Sequence, residues 1–152
     1  MGFELASLTA LSPFLYHVTY SSSLPRIRRL RRLESAAALL ERGKQHLWLR
    51  QRRSEMLHFE VDGDQITLTD QIPINEKNIV FQDGWVLSDL IESINRRVFF
   101  WRGSHTGLLK SNQGHFGKYE GAGHEMVFIR ASFGETTRLN RERGPEVCKH
   151  NS

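Results

Sequence analysis

Leu57, Phe59 and Val61 alternate with polar residues up to Asp62-Gly63, and Ile66 and Leu68 resume the alternation beyond it. Successive side chains of a strand point to opposite faces, so this pattern buries one face and wets the other. An Asp-Gly pair between two such runs marks a tight hairpin turn, here around Asp62-Gly63-Asp64. The middle of the chain is thereby committed to antiparallel pairing.

The rest of the chain fits around that hairpin. Phe14 to Tyr20 follows Pro13 and is rich in aromatic and β-branched residues, so it reads as a strand. Ser21-Ser22-Ser23 offers N-caps ahead of Pro25, which suits the first turn of a helix. Leu24, Ile27, Leu30 and Leu33 form an apolar stripe among arginines, and residues 34–42 continue as good helix formers that Gly43 should stop. A short helix is expected over Trp85 to Ile94, with Leu87, Leu90, Ile91 and Ile94 on one face. Arg97 to Trp101 reads as a buried strand and Met126 to Ile129 as another. Gly103 to Gly123 reads as a loop-rich segment holding a short helix around His115 to Glu120. Asp70-Gln71 is suited to capping a turn before Pro73, and the last twenty residues are polar.

Strands separated by helices, hairpins and long loops argue for an α+β fold rather than a regular parallel sheet. With 152 residues, 39% of them hydrophobic, there is material for one core. The division expected is an extension over 1–13 and a single domain over 14–152. No Gly-x-Gly-x-x-Gly or Walker-type loop is present, which argues against a Rossmann or P-loop nucleotide site. No apolar run approaches the roughly 20 residues of a membrane helix, so no membrane partner is expected. The N-terminus lacks a basic n-region, and Cys148 is the single cysteine, which excludes an internal disulfide. A cytoplasmic protein is expected.

Charge is unevenly spread. Arg26, Arg28, Arg29, Arg31, Arg32, Arg42, Lys44, Arg50, Arg52 and Arg53 face only Glu34 and Glu41 within residues 26–53. Ten basic and two acidic residues leave +8 there, and an overall +4 then leaves −4 elsewhere. Such a stretch suits an anionic partner, a nucleic acid or a nucleotide, with Arg28, Arg29, Arg31 and Arg32 as its contacts. A solvated helix face and a protein partner are the competing readings.

Among the seven histidines none shows His-x-x-x-His spacing, and no metal is expected. His46 and His58 sit in strand-like runs. His105, His115 and His124 share one loop-rich stretch, a weak metal pattern. His17 stands apart, because it shares a strand face with Thr19. There an imidazole and a hydroxyl can hydrogen-bond one planar polar ligand, such as an amide or a sugar.

Tyr16-His17-Val18-Thr19 followed by Leu24-Pro25-Arg26-Ile27 resembles the opening motif of the ADP-ribosyltransferase-like superfamily. In its DNA-modifying toxin and tRNA 2′-phosphotransferase branches, a first-strand His precedes such a helix. The chain is also similar to a poorly characterised bacterial domain family with three marks, a Tyr-His-Val-Thr opening, an Asp-Gln-x-Pro element and an Arg-Arg-Val-Phe-Phe-Trp strand. Here these are Tyr16 to Thr19, Asp70 to Pro73 and Arg96 to Trp101, and Gly114 to Tyr119 fits as well. Arg32-Leu33 stands where relatives usually carry Gly-Leu. The relatives' final segment continues past Asn-Ser, so this chain is expected to end short of theirs.

The resemblance implies an α+β fold with a split mixed or antiparallel β-sheet, short peripheral helices and NAD held in a cleft as substrate. It implies an enzyme that cleaves NAD and transfers ADP-ribose to a nucleic acid or protein acceptor. His17 and Thr19 would contact the nicotinamide-side ribose, and an arginine such as Arg52 or Arg53 a phosphate. Glu146 would be the catalytic carboxylate beside His17, stabilising an oxocarbenium-like transition state, with Glu125 second. The alternative is a non-catalytic nucleic-acid-binding or protein-interaction domain using residues 26–53.

Overall fold

The computed structural model describes residues 14–104, 107–108, 126–132 and 147–148. They form an α+β protein with two antiparallel sheets and a few short helices. The chain divides into two units: Pro25–Val98, and the flanking segments up to Leu24 and from Phe99 onward.

The flanking unit is built on β1 (Phe14–Tyr20), which has the expected bounds. It holds the middle of a five-stranded sheet ordered β5-β4-β1-β6-β7, with β4 Trp101–Ser104, β5 Gly107–Leu108, β6 Met126–Ser132 and β7 Val147–Cys148. Tyr16 pairs with Trp101 on one side and with Arg130 on the other. Tyr16 and Tyr20 are buried and His17 and Thr19 half-buried, as alternation along a strand requires. The strand expected over Arg97 to Trp101 begins only at Trp101. Phe99 and Phe100 precede it and are 50% and 42% exposed, so the expectation that they lie in the core is corrected. The last two residues of β4 and all of β5 fall inside the stretch expected to be loop-rich from Gly103. The expected helix over 115–120 lies outside the described residues.

The Pro25–Val98 unit holds the hairpin. β2 (Leu57–Val61) and β3 (Asp64–Leu68) pair Phe59 with Ile66 and Val61 with Asp64. Asp62 and Gly63 take the left-handed backbone (φ 53° and 85°) that a two-residue turn matching strand twist demands. Phe59, Val61 and Ile66 pack with Leu40, flanked by Leu39, Trp48, Leu49, Leu57 and Leu68. The helical stretch after β1 is two helices, α1 (Leu24–Leu30) and α2 (Ala36–Arg42). Arg31 turns the chain with φ 52°, and the Ser35 hydroxyl accepts from the Ala38 N–H at 3.3 Å as the N-cap of α2. Gly43 ends α2 as expected. His46 lies in a 3₁₀ turn (His46–Leu49) rather than a strand, and His58 lies on β2, bonded to the Thr67 hydroxyl. α3 runs Leu87–Asn95, two residues later than its expected start, with Asp89 accepting from the Val86 N–H at 3.0 Å.

Candidate functional site

The site forms where β1 meets the chain that leads into β4. Pairing of Leu15 with Arg102 and Tyr16 with Trp101 carries the antiparallel strand back towards His17, so that the residues before Trp101 arrive beside it. His17 Nδ1 lies 3.0 Å from the Phe99 carbonyl oxygen, and the Phe100 ring sits 5.9 Å from the imidazole, tilted by 58°.

A carbonyl only accepts, so Nδ1 carries the proton and donates it. Burial pushes the His17 pKa below its ordinary 6.5, and the bond to Phe99 opposes that only in part. At neutral pH the ring is therefore uncharged, and Nε2 presents a lone pair with no partner among the described residues. Such a nitrogen can accept from a ligand hydroxyl or take up a proton. Thr19 follows on the same face of β1 and adds a hydroxyl that can donate or accept. Together they form a polar pair at the centre of a sheet, with exposed aromatic surface from Phe99 and Phe100 alongside. The aromatic run reads as core in the sequence, so nothing there marks Phe99 as the group that sets the His17 tautomer.

Register adds one relation. His17 pairs with Ile129 of β6, and Ile129 with Val147 of β7, so His17 and Val147 share one cross-strand row. Glu146, Glu125, His105, His115 and His124 lie outside the described residues. Among the described residues no three His, Cys, Asp or Glu side chains are placed to hold a metal ion.

The arginines named from the sequence belong to the other unit and are largely engaged within it. Arg26, 3% exposed, donates from Nε to Glu34 at 2.7 Å, from Nη1 to Asp64 at 3.0 Å and the Val61 carbonyl at 3.2 Å, and from Nη2 to Asp62 at 3.1 Å. Arg29 pairs with Asp64, Arg32 with Glu34 at 3.2 Å, and Arg42 with Glu34 and Asp62. Arg50 clamps α3 through Asp89 and Glu92. Burial would raise the Glu34 pKa, but Arg26 and Arg32 hold it below the usual carboxylate value, while Arg29 and Arg26 do the same for Asp64 against a smaller effect of burial. Among the described residues Arg28, Arg31 and Lys44 make no ion pair. The basic stretch therefore meets acids brought by the hairpin and by α3, and is not an open cationic face.

Arg52 donates to the Ile74 carbonyl at 2.6 Å. Arg53 is buried in a polar hub that the sequence does not announce. Its N–H donates to Gln71 Oε1 at 3.1 Å while the Gln71 N–H donates back to its carbonyl at 2.8 Å. Its Nε donates to the Thr69 carbonyl at 3.0 Å and its Nη1 to Asn95 Oδ1 at 3.2 Å. Asn95 also accepts from Gln71 Nε2 and donates to the Trp48 and Leu49 carbonyls. Asp70 closes a turn by accepting from the Ile72 N–H at 3.0 Å, which is the capping role expected of that element.

The fold and the site define a small α+β protein whose central strand presents a neutral histidine. The chain belongs to the family described as "Family of unknown function (DUF7002)", whose model matches residues 13–147. Neither curated proteins nor solved structures match it. No helix among the described residues is long and apolar enough to cross a membrane.

Proposed function

We propose that this protein is an ADP-ribosyltransferase-like enzyme that cleaves NAD and passes ADP-ribose to a nucleic acid or protein acceptor. The observation that carries the reading is the state of His17. Its Nδ1 proton is held by the Phe99 carbonyl, which leaves the Nε2 lone pair without a partner among the described residues, on the strand face that also carries the Thr19 hydroxyl. A ribose offers adjacent hydroxyls that such a pair can hold, and the exposed Phe100 ring beside His17 suits a planar base.

In the proposed reaction the bond from the ribose C1′ to the nicotinamide nitrogen breaks, and nicotinamide leaves with the electron pair. An acceptor oxygen or nitrogen then bonds C1′ and gives its proton to a carboxylate. That carboxylate also faces the positive charge that develops on the sugar. Val147 shares the His17 row, so the acidic residue before it in sequence, Glu146, is tested first, and Glu125, before β6, second. The split-sheet fold of that superfamily is part of the same proposal.

The test uses labelled NAD with nucleic-acid and protein acceptors, on wild type, His17→Ala and Glu146→Ala. Wild type should release nicotinamide and label one acceptor class. His17→Ala should weaken NAD binding roughly tenfold, the worth of about one hydrogen bond. Glu146→Ala should bind NAD but not transfer. Absence of both NAD binding and turnover in wild type overturns the reading.

A further inference from the structure

We propose that the buried guanidinium of Arg53 binds a small phosphate-type oxyanion, which completes the hydrogen bonds and the charge that the fold leaves open. The inference uses only the Pro25–Val98 unit and does not rest on the NAD reading.

The case begins with a comparison inside one unit. Arg26 and Arg53 are nearly equally buried, at 3% and 5% exposed. A buried cation is normally matched by carboxylates, since a charge taken out of water without a partner is costly. Arg26 obeys this with three carboxylates and a carbonyl on its guanidinium. Arg53 has none. Its guanidinium uses two of five N–H groups, both on neutral acceptors, the Thr69 carbonyl and Asn95 Oδ1. Nη2 has no partner among the described residues. Asp70 is the carboxylate whose charge reaches Arg53, and no hydrogen bond joins the two. The electrostatic result matches the geometry: Arg26 is raised above its ordinary pKa, whereas burial pulls Arg53 down to about 10.

The neighbours that hydrogen-bond the guanidinium are neutral and supply no charge. Asn95 is fully used, with Oδ1 accepting from Arg53 and Gln71 and Nδ2 donating to two carbonyls. Gln71 spends its oxygen on the Arg53 N–H and its nitrogen on Asn95. The protein groups bonded to Arg53 are thus all neutral, and the guanidinium keeps Nη2 and one N–H of Nη1 without an acceptor among the described residues. Neighbouring Nη1 and Nη2 donors of a guanidinium form a fork that can grip two oxygens of an oxyanion at once. The slight exposure of Arg53 limits the occupant to a small anionic group and disfavours an extended polyanion.

The test follows thermal unfolding and calorimetric binding of the full chain with inorganic phosphate and with pyrophosphate, against sodium chloride at matched ionic strength. Wild type should show saturable binding and a rise in melting temperature with phosphate but not chloride. Arg53→Met should lose the response, and Arg53→Lys should keep it with affinity reduced roughly tenfold, since an ammonium lacks the fork. The triple variant Arg28→Ala, Arg31→Ala, Lys44→Ala should respond as wild type does. A nucleoside diphosphate that binds more tightly than pyrophosphate identifies the natural source as a nucleotide, and equal affinity identifies it as the free ion. No saturable response in wild type overturns the proposal, as does an undiminished response in Arg53→Met or Arg53→Lys failing to bind while folded. NAD turnover without phosphate binding sinks this inference alone, and phosphate binding without NAD binding or turnover sinks only the enzymatic reading.

Discussion

Replacing Arg26 with methionine isolates the ion cluster that ties α1 to the hairpin. Methionine keeps most of the apolar stem and removes the guanidinium, with its four hydrogen bonds to Glu34, Asp62, Asp64 and the Val61 carbonyl. The partners suffer unequally. The Asp62 side chain is 58% exposed and can be hydrated, and Asp64 keeps Arg29. The Glu34 side chain is 8% exposed and retains only the longer contacts from Arg32 and Arg42, at 3.2 and 3.4 Å. Leaving one member of a buried pair behind costs about 3–5 kcal/mol. For a chain of this size that is roughly 8–14 °C in melting temperature. Arg29→Met, which removes an exposed partner of the same Asp64, should cost far less, because solvent screens an exposed pair. Urea unfolding followed by tryptophan fluorescence reads both, because Trp48 packs on the core of this unit. A double-mutant cycle completes the case: Glu34→Gln in the Arg26→Met background should recover about 2 kcal/mol, since the stranded charge is gone. Equal costs for Arg26→Met and Arg29→Met, or no recovery in the double variant, would refute the reasoning.

Two further outcomes concern His17 and Gly43. The His17 imidazole should titrate below 6.5 by proton NMR. With the folded pKa depressed, the folded protein binds fewer protons, so this contribution to stability is whole above about 6.5 and is lost as pH falls towards the folded pKa. His17→Gln should remove that slope, and a midpoint at or above 6.5 contradicts the burial argument. Gly43→Ala would ordinarily stabilise by about 0.4–1 kcal/mol through the unfolded chain. Here an added Cβ would lie 2.6 Å from Phe59 Cε2 and closer still to Cδ2, so a loss of about 1–3 kcal/mol is expected in urea unfolding, and a stabilised variant would show that Phe59 yields.

What could be read from the sequence is what local chemistry decides. The hairpin was legible because alternation and an Asp-Gly turn agree, and β1 because its composition and the following serines agree. The break between α1 and α2 was not, since residues 31–35 contain no proline or glycine. Its cause is long-range. In one continuous helix Arg26 and Glu34 would be about 12 Å apart along the axis. Their 2.7 Å hydrogen bond requires the chain to turn back, which Arg31 and the Ser35 cap allow. Phe99 and Phe100 misled for a related reason. Apolar composition marks them as core, while the ladder on β1 fixes the start of β4 at Trp101 and leaves them at its mouth. His17 and Thr19 were found by strand periodicity, but the tautomer of His17 depends on a carbonyl 82 residues away, which no pattern encodes.

The charge run over 26–53 shows why a one-dimensional excess is a poor guide to a partner. Its +8 is an excess only along the chain, because Asp62, Asp64, Asp89 and Glu92 reach it from the hairpin and α3. Exposed pairs such as Arg50 with Asp89 are weak enough to open for about 1 kcal/mol or less. Opening one for a phosphate, however, leaves a carboxylate beside the incoming anion, and that repulsion cancels much of the gain. Arg28, Arg31, Lys44 and Arg52 escape this penalty, and four cations support far less counterion release than ten. Nucleic-acid binding by this stretch therefore loses the feature that recommended it. Specificity falls instead to partly or wholly buried groups whose bonding capacity is left unspent, and two of these among the described residues are His17 Nε2 and Arg53 Nη2. One is a neutral acceptor and the other a cationic donor, so a ligand of each must carry opposite chemistry: hydroxyls for the first, oxyanion oxygens for the second.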